Sequence, residues 1–366
     1  MIEQHFGESI PFSLGVEEEV MILDAETYAL TPGVESLVAW AEGRPLPGVL
    51  KMELLASMVE LATEVCASPQ EALEALRELR AAAAEGAREH GLIVAAAGTH
   101  PFSIPEHQDI APDPRYREFV AYAGISARRQ AVCGLHVHIG MPGPEECMQA
   151  LEGVLPWLPL VLALSANSPY LAGEETGLAS KRAEVLAELP RAAAPPAFGS
   201  YAEWEAFVER FVRLGLADSY TRFWWDIRPH PTFGTLEIRA PDQPTAVELS
   251  CVFAALLQAL CATVLDGAPP PPAHRGDYAQ NRWAALRFGP RAELIHPQGE
   301  RLVRVPELTY ELLALIEPAV RDLGTVELLR KLHPGRCEGD RQLEVGRAGG
   351  LEAVAADAAA RSVRSS

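Results

Sequence analysis

The chain of 366 residues is short of positive charge: 31 Lys and Arg stand against 50 Asp and Glu, a formal net charge of −19 at pH 7. So acidic a surface argues against a nucleic-acid backbone or an anionic bilayer as the main partner, since both attract basic faces. Anionic small molecules stay within reach, because metal ions and a few arginines can reverse the field locally. Cysteine offers little. Cys66, Cys133, Cys147, Cys251, Cys261 and Cys337 show no CxxC spacing, which speaks against a disulfide framework or a zinc cluster. The longest apolar stretch, LEGVLPWLPLVLALSAN, is broken by proline and too short to span a bilayer. The start, MIEQHFGESIPF, lacks the basic and apolar parts of a signal peptide, so a cytoplasmic location without membrane attachment is expected. Three motifs are also missing: the G-x-x-x-x-G-K-[ST] phosphate loop, the G-x-G-x-x-G dinucleotide turn and the HExxH zinc motif. Any use of ATP must therefore rest on another architecture.

What is present reads as an ordinary globular chain, 48% hydrophobic and 22% charged, long enough for one large domain. No internal repeat is visible. Helical spacing marks residues 69–90, 145–166, 201–217, 244–265 and 305–333. Extended segments are expected at 91–98, 131–142 and 232–242, and the Pro-rich stretch 266–280 reads as a crossing loop. The pattern is α+β, a sheet with helices between its strands. Residues 1–345 are expected to form one domain, and 346–366 a tail that is flexible or one surface helix.

The segment LGVEEEVMILD poses the functional question, because Glu17, Glu18 and Glu19 sit at the centre of an otherwise apolar strand. Side chains alternate along a strand, so Glu17 and Glu19 share one face and Glu18 takes the other. Charge on an exposed strand edge is one explanation. The other is a site that holds a cation or a proton between parallel carboxylates. Further acids and histidines recur on apolar segments: Glu53 and Glu60 in KMELLASMVELATEV, His136 and His138 in CGLHVHIG, Glu237 and Arg239 in TLEIRAPD. Gathered on one sheet, they would suit magnesium or manganese, which favour oxygen donors, with Arg239 as a planar fork for phosphate or carboxylate. Each has a plainer reading. Glu53 and Glu60 also fit one solvated helix face, and a His-x-His strand is often structural or half of a zinc hydrolase site. Trp225 and Asp226 either support the site or simply pack and cap.

Taken in order, LGVEEEVMILD, MELLASMVELATEVC, AAAGTHPF, CGLHVHIGMP, LSANSPYLAGEETGLASKRAEVLAELPRA and FWWDIRPHPTFGTLEIRAPDQPT resemble the glutamate–cysteine ligase type 2 family. NRWAALRFGPRAELI and CEGDRQ extend the likeness, which covers roughly residues 12–345. These are ATP-dependent carboxylate–amine ligases related to glutamine synthetase. The resemblance implies a mostly antiparallel, curved sheet forming a half-open funnel with helices on its outer face. It implies Glu17, Glu19, Glu53, Glu60, His136 and Glu237 as ligands of two or three Mg²⁺ (or Mn²⁺) ions. Glu19, Glu237 and Arg239 take the catalytic roles, Arg239 and Arg287 hold ATP, and Asn167, Arg182 and Arg228 grip substrate. The implied reaction joins a carboxylate to an amine through an acyl phosphate, with glutamate and cysteine as the default pair. A homodimer is expected by resemblance alone. The departures at SKR (180–182) and GDRQL (339–343) bear on substrate choice more than on the ATP-dependent step. Two alternatives stand beside this reading: a metal-dependent amide hydrolase built on His136 and His138, and a non-catalytic metabolite-binding relative.

Overall fold

The computed structural model describes residues 2–363. Its centre is strand β1 (Leu14–Asp24), the eleven-residue segment that carries the three glutamates. Around it run β2 (Gly48–Met52), β3 (Met58–Thr63), β4 (Leu92–Ala95) and β5 (Leu135–Gly140). A short hairpin, β6 (Tyr170–Leu171) and β7 (Glu174–Glu175), lies apart, and β8 (Ile227–His230) and β9 (Thr235–Ile238) complete the main sheet. The order is β2-β3-β1-β5-β9-β8, with β4 also paired to β1, and every pairing is antiparallel. A second hairpin, β10 (Glu293–Ile295) and β11 (Leu302–Arg304), precedes the late helices.

The helices are α1 (Val34–Ala41), α2 (Pro69–Glu89), α3 (Pro114–Ala123), α4 (Ile125–Arg128), α5 (Pro144–Val154), α6 (Leu158–Ser165) and α7 (Lys181–Leu186). They continue with α8 (Tyr201–Arg213), α9 (Val247–Asp266), α10 (Arg275–Phe288), α11 (Val305–Asp322), α12 (Val326–Leu329) and α13 (Glu338–Ser362). α2 starts where Ser68 accepts a hydrogen bond from Glu71 N and Pro69 fills the first helical turn. Its Ala72, Ala75, Leu76, Leu79 and Ala83 face the sheet and α9. α9 is apolar nearly all round because it is wrapped on most sides, by the sheet and by α2, α5 and α11. Together these helices cover one face of the sheet with Val16, Val137, Ile139, Leu236 and Ile238 inside. The other face carries a second core around Met21, Leu23 and Met58 and, beside it, the site.

Four expected boundaries shift for physical reasons. The helix expected at 145–166 is two, α5 and α6, divided by a 3₁₀ turn at Leu155–Trp157 where Pro156 and Pro159 withdraw backbone donors. The helix expected at 305–333 stops at Asp322, just before Gly324 with φ +68°. The crossing loop ends early, because His274 caps α10 by accepting from Asp277 N. The boundary expected at 345 falls inside α13. Beyond a kink at Gly350, that helix buries Val354, Ala355, Ala358 and Ala359, against β4 among others, so the last described turns are part of the packed body.

Candidate active site

Antiparallel register brings the charged residues of six strands into rows on the open face of the sheet. Glu60 on β3 stands opposite Glu19 on β1 and Lys51 on β2. Glu17 stands opposite His136 on β5, His138 opposite Glu237 on β9, and Glu237 opposite Arg228 on β8. Directly opposed residues share a face, so each row is continuous across the sheet. Glu53 joins them from the residue after β2, its carboxylate accepting from Leu54 N at 2.9 Å. The plain helical reading of Glu53 and Glu60 is thereby replaced: they belong to a hairpin, not to one helix face. Over the rows lies a cavity of about 590 Å³, lined by Glu17, Glu19, Glu53, Glu60, His136, His138, Arg228, Glu237 and Arg239. Residues of the segments 115–119 and 218–224 also line it, with Phe119 and Trp224 ring centroids 5.2 Å apart.

Glu18 confirms the alternation. It is fully buried on the opposite face, where Arg80 of α2 donates from Nε at 2.6 Å and Nη2 at 2.8 Å, and Ser250 and Gln243 also donate to it. The edge-strand explanation for three glutamates fails, since β1 is the central strand. One glutamate belongs to the core and two to the cavity.

The acids of the cavity fall into two electrostatic groups. Burial alone would raise Glu237, but the charges of Arg228 and Arg239 hold it well below the usual carboxylate range. Arg228 Nε and Arg239 Nη1 each donate to it at 2.5 Å, so each of its oxygens anchors a guanidinium group. Burial of Glu17 is likewise outweighed, by hydrogen bonds and charge from His136 and His138, and it too sits low. Glu53 and Glu60 go the other way. Burial and then the charges of Glu19 and Glu60 push Glu53 well up, and burial with the charge of Glu17 raises Glu60 to about 7. Gathered carboxylates that resist ionising together call for a cation.

The two histidines also differ. Burial, then the charge of Arg239, lowers His136 and favours the neutral imidazole a metal needs, and its buried Nε2 has no hydrogen-bond partner. Burial of His138 is overridden by Glu17 and Glu237, which favour its protonated form. Hard carboxylate oxygens plus one neutral imidazole fit Mg²⁺ or Mn²⁺. Among the described residues no three such side chains are already drawn to coordination distance.

Other residues singled out in the sequence lie elsewhere. Asn167 is buried behind the site, donating to Gln243 O at 2.9 Å and Thr245 Oγ1 at 3.0 Å and accepting from Gln342. It does not line the cavity. Arg287 lies on α10 away from the cavity, with its guanidinium on Gly177 O. Arg182 does line the cavity, yet its Nη groups donate to the backbone carbonyls of Arg239 and Ala240. Asp226 accepts from Arg282 and Tyr278, and Trp225 packs in the main core.

Three residues escaped the sequence reading. Lys51 donates to Glu60 Oε1 at 2.8 Å, and its Nζ is 3.5 Å from Glu17 Oε1. Tyr116 lines the cavity and donates to Met52 O at 2.6 Å. Gly134 donates its N–H to Glu19 Oε2 at 2.5 Å. Had Glu53 and Glu60 been read as a hairpin, Lys51 would have fallen opposite Glu60. Gly134, in CGLHVH, had no signal of its own.

The site is thus one open face of an antiparallel sheet that carries acids and arginines together. The chain belongs to the glutamate–cysteine ligase family 2, whose model matches residues 13–355. This makes it an enzyme of the ATP-dependent carbon–nitrogen ligase class. A protein of Rubrobacter xylanophilus that carries the provisional name glutamate–cysteine ligase 2-3 is 41% identical over 96% of this chain and 98% of its own. A Roseiflexus protein, provisionally named glutamate–cysteine ligase 2, is 36% identical over 92% and 90%. Among solved structures, a glutamate–cysteine ligase from Francisella tularensis in complex with AMP superposes with TM-score 0.69 at 14% identity, covering 97% of this chain and 89% of that one. A bifunctional glutathione synthetase from Pasteurella multocida gives 0.71 at 15%, covering 96% of this chain and 53% of that one. At such identities the likeness is one of fold.

Proposed function

We propose that this enzyme phosphorylates a substrate carboxylate with ATP and passes the resulting acyl phosphate to an amine, with glutamate and cysteine as the default pair. The observation that carries this reading is the pairing, in one cavity, of an acid cluster at Glu17, Glu19, Glu53 and Glu60 with guanidinium groups at Arg228 and Arg239. In the first step a carboxylate oxygen attacks the γ-phosphorus and ADP leaves. In the second the amine nitrogen attacks the acyl carbon, phosphate leaves and the nitrogen gives up a proton. Both steps crowd anions together, so catalysis rests on positioning and on offsetting charge. Bound Mg²⁺ would neutralise triphosphate and carboxylate charge. Glu17, Glu19, Glu53, Glu60 and His136 are the residues that would hold it.

Arg239 is the side chain best placed to meet a transferred oxygen. Glu237 fixes its Nη1, while its buried Nε–H has no protein partner. Arg228 stiffens that arrangement from the far side of Glu237, donating also to Thr221 O and Phe223 O. No side-chain nucleophile is required, in keeping with six buried cysteines that all remain thiols. A cytoplasmic setting and small-molecule substrates go with the ligase reading.

The test is phosphate release from ATP and Mg²⁺ across a panel of carboxylates and amines, with the product weighed by mass spectrometry. Release that needs both partners and yields the matching amide supports the proposal. Release that ignores the amine, or none with any pair, refutes it.

A further inference from the structure

The chain contains only three lysines, Lys51, Lys181 and Lys331, against 28 arginines. One of the three stands at the acid cluster. β2 places Lys51 opposite Glu60, and its ammonium lies 2.8 Å from Glu60 and 3.5 Å from Glu17. The two carboxylates it joins come from different strands, β3 and β1, and are each about seven-eighths buried, with side-chain exposures of 13% and 15%. Lys51 itself is 45% exposed, so its stem can swing outward into solvent without disturbing the core. It is thus a cation seated between two acids, held from the rim of the sheet.

Residue type matters here. An ammonium is a compact point charge on a flexible stem, whereas a guanidinium grips carboxylates through a rigid fork. Among the described residues, the other cations beside these acids are arginines or histidines: Arg228 and Arg239 on Glu237, His136 and His138 beside Glu17. Those partners are buried, while Lys51 can be released.

Resting on the metal reading above, we propose that Lys51 is a displaceable counter-ion of this acid cluster. Its ammonium holds Glu17 and Glu60 together until a divalent cation takes its place, so the cation binds by exchange. Lysine at this position then trades affinity for reversibility. Without a cation it limits repulsion among the carboxylates; with one it must leave, and its departure weakens net binding.

The experiment is a Mn²⁺ titration without nucleotide, followed by the electron paramagnetic resonance of free Mn²⁺, on the whole protein and on K51M, K51R and E60Q. Losing a half-exposed ion pair and its competing charge predicts about ten-fold tighter binding in K51M. K51R, which grips by a fork, should bind severalfold more weakly than the unaltered protein, and E60Q more weakly still. In EDTA, K51M should melt at a lower temperature, and Mn²⁺ should restore it. Unchanged or weaker Mn²⁺ binding in K51M overturns the exchange proposal while leaving the metal reading intact. Absence of Mn²⁺ binding in both the unaltered protein and K51M overturns both.

Discussion

Glu19 and Glu60 face each other directly across the β1–β3 pair, two acids in opposed positions on the cavity side of the sheet. Like charges so placed destabilise a sheet. With Glu60 raised to about 7 from an ordinary 4.5, the folded chain holds a proton that the unfolded chain releases. The contribution of Glu60 to stability should therefore fall as pH rises from about 4.5 to 7, and the penalty is complete above that range. Urea midpoints between pH 4 and 8 in EDTA, compared with E60Q, isolate it. The unaltered protein should lose stability relative to E60Q across this window, and Mg²⁺ at pH 7.5 should recover it. Parallel curves for the two proteins would contradict this.

The same repulsion separates function from stability. E60Q removes a charge from a crowded cluster, so it should leave the EDTA-treated protein as stable as before or more so, whereas E17Q takes a charged partner from His136 and His138 and should melt lower. Ligase activity should nonetheless fall by about a hundred-fold in both, the usual loss when one preorganised electrostatic group is removed. E19Q and E237Q should lose activity at least as severely. E237Q should also melt lower, because it leaves Arg228 and Arg239 buried without their shared carboxylate. Phosphate release and melting temperature, measured together, check the split. Full activity in both E19Q and E237Q would sink the ligase reading.

Much of this site was legible because strand alternation is a strict rule. Glu17, Glu19, His136, His138, Glu237 and Arg239 could be sorted by face from their spacing alone. Register between strands distant in sequence could not, since it depends on which strands pair, so the Glu19–Glu60 and Glu17–His136 oppositions emerge only with the fold. Arg182 and Asn167 stand next to motif residues in sequence, yet their polar groups serve backbone carbonyls and a buried network. Sequence has no way to tell a guanidinium that grips substrate from one that grips a strand end. The break at Leu155–Trp157 was readable from Pro156 and Pro159, whereas the packing of α13 on β4 was hidden by its Ala- and Gly-rich composition.

Glu18 belongs to the fold, and its variants should show the opposite signature to Glu60. Fully buried and bonded to Arg80, Ser250 and Gln243, it ties the central strand to α2 and α9. Either E18Q or R80M strands an uncompensated buried group, at a cost of about 3–5 kcal/mol. A double E18L/R80M variant should recover part of that loss, since apolar replacement of both partners removes the stranded charge. Chemical denaturation of the three variants gives the coupling directly. A loss in the double variant equal to the sum of the single losses would mean the pair does not act as a unit.

Gly134 shows how little room the site leaves behind its acids. A Cβ at this position would lie 2.0 Å from Arg182 Nη2 and 2.9 Å from its Nε, and the guanidinium is buried with Nη2 bonded to Arg239 O. The backbone N–H of the same glycine fixes Glu19 Oε2. G134A must therefore shift either the arginine or the start of β5, and Glu19 and Arg239 would both feel it. Overpacking of this kind costs about 1–3 kcal/mol, and the displaced carboxylate should reduce the rate of phosphate release by more than the fall in stability accounts for. Truncating the obstacle separates the two effects. G134A/R182A relieves the clash, so it should unfold no more readily than R182A alone and should regain part of the rate lost in G134A. If G134A melts and turns over like the unaltered protein, Arg182 does not hold the strand end as the contacts imply.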